Sequence, residues 1–250
     1  MESKTKKLIL VTLGIILISI SISLGIILSG QGAGYLLASV LGLGLLIKYY
    51  KFLRLEDVHT LLTLLILGSL YFFYQQNFNF VMIFMLTAAY LGAKAAIRAQ
   101  GLKYSFRKNN WKRTGLIILG FGGCLALINS LLFLTQGIPL DIRLTLDKLL
   151  MSFVPGIFEE VICRLTYMAV GLSLLGSWPK GRIQTICFYL LMVVPHVLWH
   201  YSGPIPIFEA SLQGLIFGLP LALLMRKVDL VTAIGSHSLI DLVRFILFNI

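Results

Sequence analysis

Glu159, Glu160 and Arg164 lie within six residues of one another, inside a run otherwise apolar enough to sit in a bilayer. A charge near the bilayer centre costs about 2.5–3.5 kcal/mol on insertion scales, so three together call for a partner, a wet cavity or a reaction. Read as a helix beginning after Pro155 and Gly156, the segment sets Glu160 and Arg164 four residues apart on one face, acid before base, as a compensated ion pair. Glu159 is then rotated about 100° away. Burial makes such a carboxylate resist ionisation, which moves it toward the range where it can act as a general base near neutral pH. Taken alone, the three groups could equally be a packing salt-bridge network.

Two further pairs share this i,i+4 spacing. His196 and His200 close one apolar run, and two imidazoles four residues apart on a helix can meet one metal ion. The HExxH pattern of zinc proteases is absent, because Val197 follows His196. His237 and Asp241 lie in the last run, where an imidazole can donate a hydrogen bond to a developing oxyanion. Each pair also has a plain structural reading, as hydrogen-bonded polar groups within an apolar helix. Together they concentrate acid, base and donor groups in one half of the chain.

The elements that must position these residues follow from composition. With 58% hydrophobic residues, 12% charged and a mean hydropathy of +0.92, the 250 residues are too apolar for a soluble domain. Apolar runs fall at about 7–28, 34–49, 59–74, 80–96, 115–134, 149–175, 183–201, 207–224 and 230–248. Most match the roughly 20 residues a helix needs to cross about 30 Å of hydrocarbon. The expected fold is all-α, a polytopic transmembrane helical bundle of about eight spans, eight or nine by this reading, with catalytic groups in the carboxy-terminal half. One integral membrane domain, 1–250, would comprise amino-terminal helices over 1–143 and a catalytic core over 144–250.

The net charge of +11 resides in loops rather than on a nucleic-acid face. Lys4, Lys6 and Lys7 precede the first run, Lys48, Lys51 and Arg54 follow the second, and Lys103, Arg107, Lys108, Lys112 and Arg113 crowd the loop after the fourth. The turns at 29–33 and 75–79 carry no charge. By the positive-inside rule the protein is a multi-pass cell-membrane protein with a cytoplasmic amino terminus, its basic residues facing lipid headgroups and no nucleic acid. The amino-terminal run exceeds 20 residues and lacks a clear small-residue cleavage site, so it reads as a retained span. Cys124, Cys163 and Cys187 are odd in number and lack CxxC spacing, which points to neither a disulfide framework nor a thiolate zinc site.

In order along the chain these residues resemble the intramembrane CPBP family of CAAX prenyl proteases and bacteriocin-processing (Abi) proteins. Its EExxxR motif is matched by Glu159, Glu160 and Arg164, its FxxxH motif by Met192 to His196, and its HxxxN or HxxxD motif by His237 to Asp241. Gly214, Phe217 and Gly218 resemble the small-residue helix between the last two motifs. The resemblance begins near Leu144 and departs from the pattern at Met192, in place of an aromatic, and at Leu165, in place of a glycine. A frame through Trp199 and His200 is the alternative for the second motif; the 37 residues from Glu159 to His196 and the 41 from there to His237 favour His196.

The resemblance implies a glutamate-type intramembrane endopeptidase acting on a small hydrophobic or membrane-bound peptide or protein. Glu159, helped by His196, would activate a water, His237 with Asp241 would stabilise the oxyanion, and Glu160 with Arg164 would hold the helix. No cofactor is obligatory on this reading, and a divalent metal such as zinc stays open. Two other classes compete: a non-enzymatic membrane scaffold or bacteriocin-immunity protein with the same fold, and a proton-coupled transporter. A transporter would be marked by inverted repeats with paired broken helices, and the sequence shows no convincing repeat.

Overall fold

The computed structural model describes residues 2–26, 31–77 and 79–249; the end of the first apolar run and parts of the uncharged 29–33 and 75–79 turns lie outside them. Among the described residues there is no strand. The helices are α1 (Glu2–Ser23), α2 (Gln31–Tyr49), α3 (Leu55–Tyr74), α4 (Phe80–Ala99), α5 (Trp111–Ile117), α6 (Gly123–Thr135), α7 (Leu146–Phe158), α8 (Thr166–Leu175), α9 (Arg182–Leu198), α10 (Ile207–Gln213), α11 (Leu219–Lys227) and α12 (Leu230–Phe248). Short π-helical stretches, Ile118–Gly122, Glu159–Leu165 and Gly214–Gly218, join α5 to α6, α7 to α8 and α10 to α11. In hydrocarbon no water can satisfy backbone amides, so a chain this apolar must close its hydrogen bonds within helices.

Seven helical rods among the described residues are long and apolar enough to cross a membrane, and Arg182–Leu198 is apolar but shorter. The protein is a multi-pass helical membrane protein, as its composition requires. The 146–175 stretch is as long as a span but carries Glu159, Glu160 and Arg164 in its interior.

The described residues divide into two compact units. The first gathers the chain up to Leu61, Phe84–Tyr104 and Val161–Ala222. Within it α1 packs on α8 and α9 along the stripe Leu8, Thr12, Ile15, Ser19 and Ile22, spaced by three and four residues as one helix face requires. Ser23 ties the two helix ends by donating from Oγ to the Leu198 carbonyl at 2.6 Å, and Gln184 Nε2 donates to Thr5 Oγ1 at 2.8 Å. Between α2 and α4 the backbones touch: a Cβ on Gly42 would fall 2.6 Å from Ala89 Cα, and one on Gly92 would collide with the Gly42 carbonyl. Small residues at such crossings are how membrane helices gain packing energy where lipid is as apolar as leucine. Asp57, fully buried, accepts from the Arg98 guanidinium and from the Arg54 backbone N–H, pinning the start of α3 to the end of α4.

The second unit gathers Leu62–Ile83, Ser105–Glu160 and the chain from Leu223 onward. Here α12 is the axis, packed against α5, α6 and α7. Its close approach to α7 needs Gly156, whose Cβ would lie 3.0 Å from the Ile234 carbonyl and run into Ser238 Oγ. Both ends of α12 are fixed. At the start, Asp229 caps the helix, accepting from Thr232 N–H at 2.8 Å and Thr232 Oγ1 at 2.6 Å, while its other oxygen accepts from Lys108 N–H at 2.8 Å. At the finish, an extended strap donates from Asp141 and Arg143 N–H to the carbonyls of Leu247 and Ile246, each at 2.9 Å. Arg143 also bonds the exposed Asp141 carboxyl, which holds it below the usual carboxylate range.

The Asp229 cap gives a stability prediction. Losing an N-cap costs about 0.5–2 kcal/mol, and a buried donor left unsatisfied adds about 1–3 kcal/mol. Asp229→Ala is therefore expected to lower stability by about 2–4 kcal/mol, read as a fall in melting temperature in detergent. Asp229→Asn, which keeps the accepting oxygen, should lose much less.

Candidate active site

In the second unit, four of the residues singled out by spacing meet. Glu159 opens the π-helical stretch that follows α7 and Glu160 is next to it, while His237 and Asp241 project from α12. Adjacent residues on an α-helix point about 100° apart. Here both carboxylates nevertheless address one imidazole. His237 Nδ1 lies 2.7 Å from Glu160 Oε1, and its Nε2 lies 3.6 Å from Glu159 Oε2 and 3.4 Å from Asp241 Oδ2. A carboxylate only accepts, so Nδ1–H donates to Glu160 and that bond fixes the ring's orientation.

Burial sets the energetic scale of this cluster. Glu160 is 0% exposed, Glu159 6% and Asp241 5%, with His237 half-buried between them. Carboxylates removed from water are tolerated only with compensating partners, and the imidazole supplies a hydrogen bond to Glu160 through Nδ1 and an ion-pair contact to Glu159 and Asp241 through Nε2. Pro155 stands one turn before Glu159 inside α7, and a proline there cannot donate its turn's hydrogen bond. The seven-residue π-helical stretch begins where that turn ends. Such wide turns concentrate at functional sites in helical proteins.

The first unit carries the remaining candidates. His196 lies in the last turn of α9 and is buried; His200 stands beyond the helix, which ends at Leu198, and is exposed. Their Nε2 atoms face each other at 3.3 Å, with ring centroids 4.9 Å apart. Trp199 anchors the turn between them. It is 1% exposed, stacks edgewise on Tyr35 and tilted on Tyr167, and fills the space that a side chain at Gly34 would need. Arg164 also belongs to this unit and is buried. Catalytic zinc sites use three protein ligands, of which His196 and His200 could supply two nitrogens.

The expected partnerships are thus enlarged. Spacing paired His237 with Asp241, four residues on; the nearer partner is Glu160, 77 residues away in the chain. One residue escaped sequence reading altogether. Arg244 Nη2 donates to Asp241 Oδ1 at 2.9 Å, clamping the carboxylate from the side opposite His237. The signal was present as an arginine three residues after an aspartate in the final span, the i,i+3 neighbourhood of a helix. Without that clamp Asp241 is free to rotate away from the imidazole. Arg244→Met is expected to reduce cleavage about tenfold, an order-of-magnitude loss like those following removal of groups that orient a ligand. Unchanged activity in a steady-state assay would mean that Asp241 needs no such support.

Cys124, Cys163 and Cys187 are free thiols. Comparison with curated proteins and with solved structures returns no match. The family model described as type II CAAX prenyl endopeptidase, Rce1-like, matches residues 141–243. That stretch holds every motif residue named above, from Glu159 to Asp241. Over that stretch, 141–243, the chain is similar to the Rce1-like CAAX endopeptidases of the CPBP family, whose intramembrane proteases the motif residues also resemble.

Proposed function

We propose that the protein is an intramembrane endopeptidase in which Glu159 activates the attacking water. Glu159 takes a proton as the water oxygen bonds to the scissile carbonyl carbon, and returns it to the departing amine as the C–N bond breaks. His196 assists in orienting the water, with His200 the alternative for that role. The carbonyl oxygen becomes an oxyanion and receives a hydrogen bond from His237 Nε2–H, while Asp241 balances the ring. Glu160 holds that ring through Nδ1, and Arg164 supports the helix that carries both glutamates. Charge developing in a site screened from bulk water is stabilised far more by fixed donors than it would be in solution.

The observation that carries this reading is the single imidazole gripped by two neighbouring carboxylates, with Asp241 beside it, inside the stretch that matches the protease family. The substrate is a small hydrophobic or membrane-bound peptide or protein, and the amino terminus lies in the cytoplasm. A divalent metal such as zinc, when bound through His196 and His200, would supply Lewis-acid polarisation of the water. The chain's own residues carry each proton transfer, and activity after chelation measures the metal's part. The test of the whole is cleavage by purified, lipid-reconstituted protein. Compared at matched membrane abundance, a Glu159→Ala, His237→Ala double variant should cut nothing. If the double variant still restores the phenotype of cells lacking the protein, the non-enzymatic scaffold is the correct reading instead.

A further inference from the structure

The start of α12 is surrounded by cations that the chemistry above does not use. Within the second unit Arg107 and Lys108 lie in the loop bonded to the α12 start, Lys112 and Arg113 follow in the first turn of α5, and Arg226 and Lys227 end α11 just before α12 in the chain. The loop is held to the α12 start by two backbone hydrogen bonds, Lys108 N–H to Asp229 Oδ2 at 2.8 Å and Val231 N–H to the Phe106 carbonyl at 3.1 Å. Asp229, the acid in this cluster, is 0% exposed and spends both oxygens on capping bonds. The Arg107 guanidinium stacks 4.0 Å over Trp111, and its Nη1 is buried without a hydrogen-bond partner. The Trp111 side chain itself is 66% exposed, at the first residue of a membrane-spanning rod.

From these contacts we infer that the Arg107–Arg113 loop and the Arg226–Lys227 turn form a binding site for the headgroup of an anionic phospholipid. Charge complementarity selects the occupant. Six cations around one internally committed carboxylate leave a positive surface, and a tryptophan at the membrane boundary sits at headgroup level, where its ring is half in hydrocarbon and half wet. Clusters of four to eight Lys or Arg next to a span attract anionic lipids at about 1 kcal/mol per cation, which is about fivefold in affinity for each. The backbone bonds hold the loop in place before the lipid arrives, so little ordering cost opposes binding. Because the same bonds cap α12, the lipid would steady the helix bearing His237 and Asp241 at its start.

The test uses full-length protein in neutral phosphatidylcholine, titrated with phosphatidylglycerol and followed by native mass spectrometry and Trp fluorescence. The wild type should retain phosphatidylglycerol over phosphatidylcholine by at least about a hundredfold. The Arg107→Gln, Lys112→Gln, Arg113→Gln triple variant should lose about two orders of magnitude in that retention, as three cations at about fivefold each require. Lys4→Gln with Lys6→Gln, outside this unit, should change nothing. Equal melting temperatures of wild type and triple variant in pure phosphatidylcholine exclude misfolding as the cause. The proposal is overturned if the wild type shows no preference, if the triple variant keeps it, or if the amino-terminal variant loses as much, which would mean diffuse attraction.

Discussion

Glu159→Gln is expected to lower peptide-bond cleavage by about 10³-fold or more, with membrane accumulation unchanged. A positioned general base contributes about 10²–10⁴-fold, and the amide cannot take a proton from water. The substitution keeps size and hydrogen-bonding capacity, and Glu160 still bonds His237 Nδ1 at 2.7 Å, so the ring stays where it is. The loss should therefore appear in kcat rather than in KM, because ground-state binding does not depend on the proton transfer. Glu159→Asp, one methylene shorter, should recover a small part of the activity.

His237→Ala should fail in two ways at once. Loss of one oxyanion donor costs about 2.7–4 kcal/mol of transition-state stabilisation, or roughly 10²–10³ in rate. The same change strips the charge-assisted partner from Glu160, which is 0% exposed, and from Glu159 and Asp241 beside it. Removing one member of a buried pair typically costs about 3–5 kcal/mol in stability. A fall in melting temperature should accompany the loss of activity, and adding Glu160→Gln should restore much of the stability while leaving the enzyme inactive. A His237→Ala protein of wild-type melting temperature would mean that the imidazole does not carry the load assigned to it.

Much of this was readable before any coordinates. The helical membrane class follows from apolar composition alone, since lipid allows few other ways to satisfy a backbone. The acid and imidazole groups were found because ionisable residues are costly in apolar runs and stand out against Leu, Ile and Val. What stayed hidden was whatever depends on contacts between distant segments. Spacing reveals only same-helix neighbours, so it offered Arg164 to Glu160 and Asp241 to His237, and could not propose a Glu160–His237 bond across 77 residues. The π-helical form of Glu159–Leu165 was equally invisible, because local propensity does not distinguish it from an α-helix. The spacing of His196 and His200 places them side by side, and their Nε2 atoms do face each other at 3.3 Å, although α9 stops at Leu198 and the chain turns around the buried Trp199, which spacing does not show. The division into two compact units, and the strap that closes α12 through Asp141 and Arg143, likewise rest on long-range backbone pairing with no local signature.

The measurement that bears most directly on water activation by Glu159 is mass spectrometry of membrane peptides from cells carrying wild type or Glu159→Gln, grown in part in ¹⁸O-labelled water. The account predicts truncated peptides that appear only with the wild type, carry one ¹⁸O atom at the new carboxylate, and share one hydrophobic cleavage context. Identical peptide profiles from the two strains, with both proteins present in the membrane in equal amount, would contradict it.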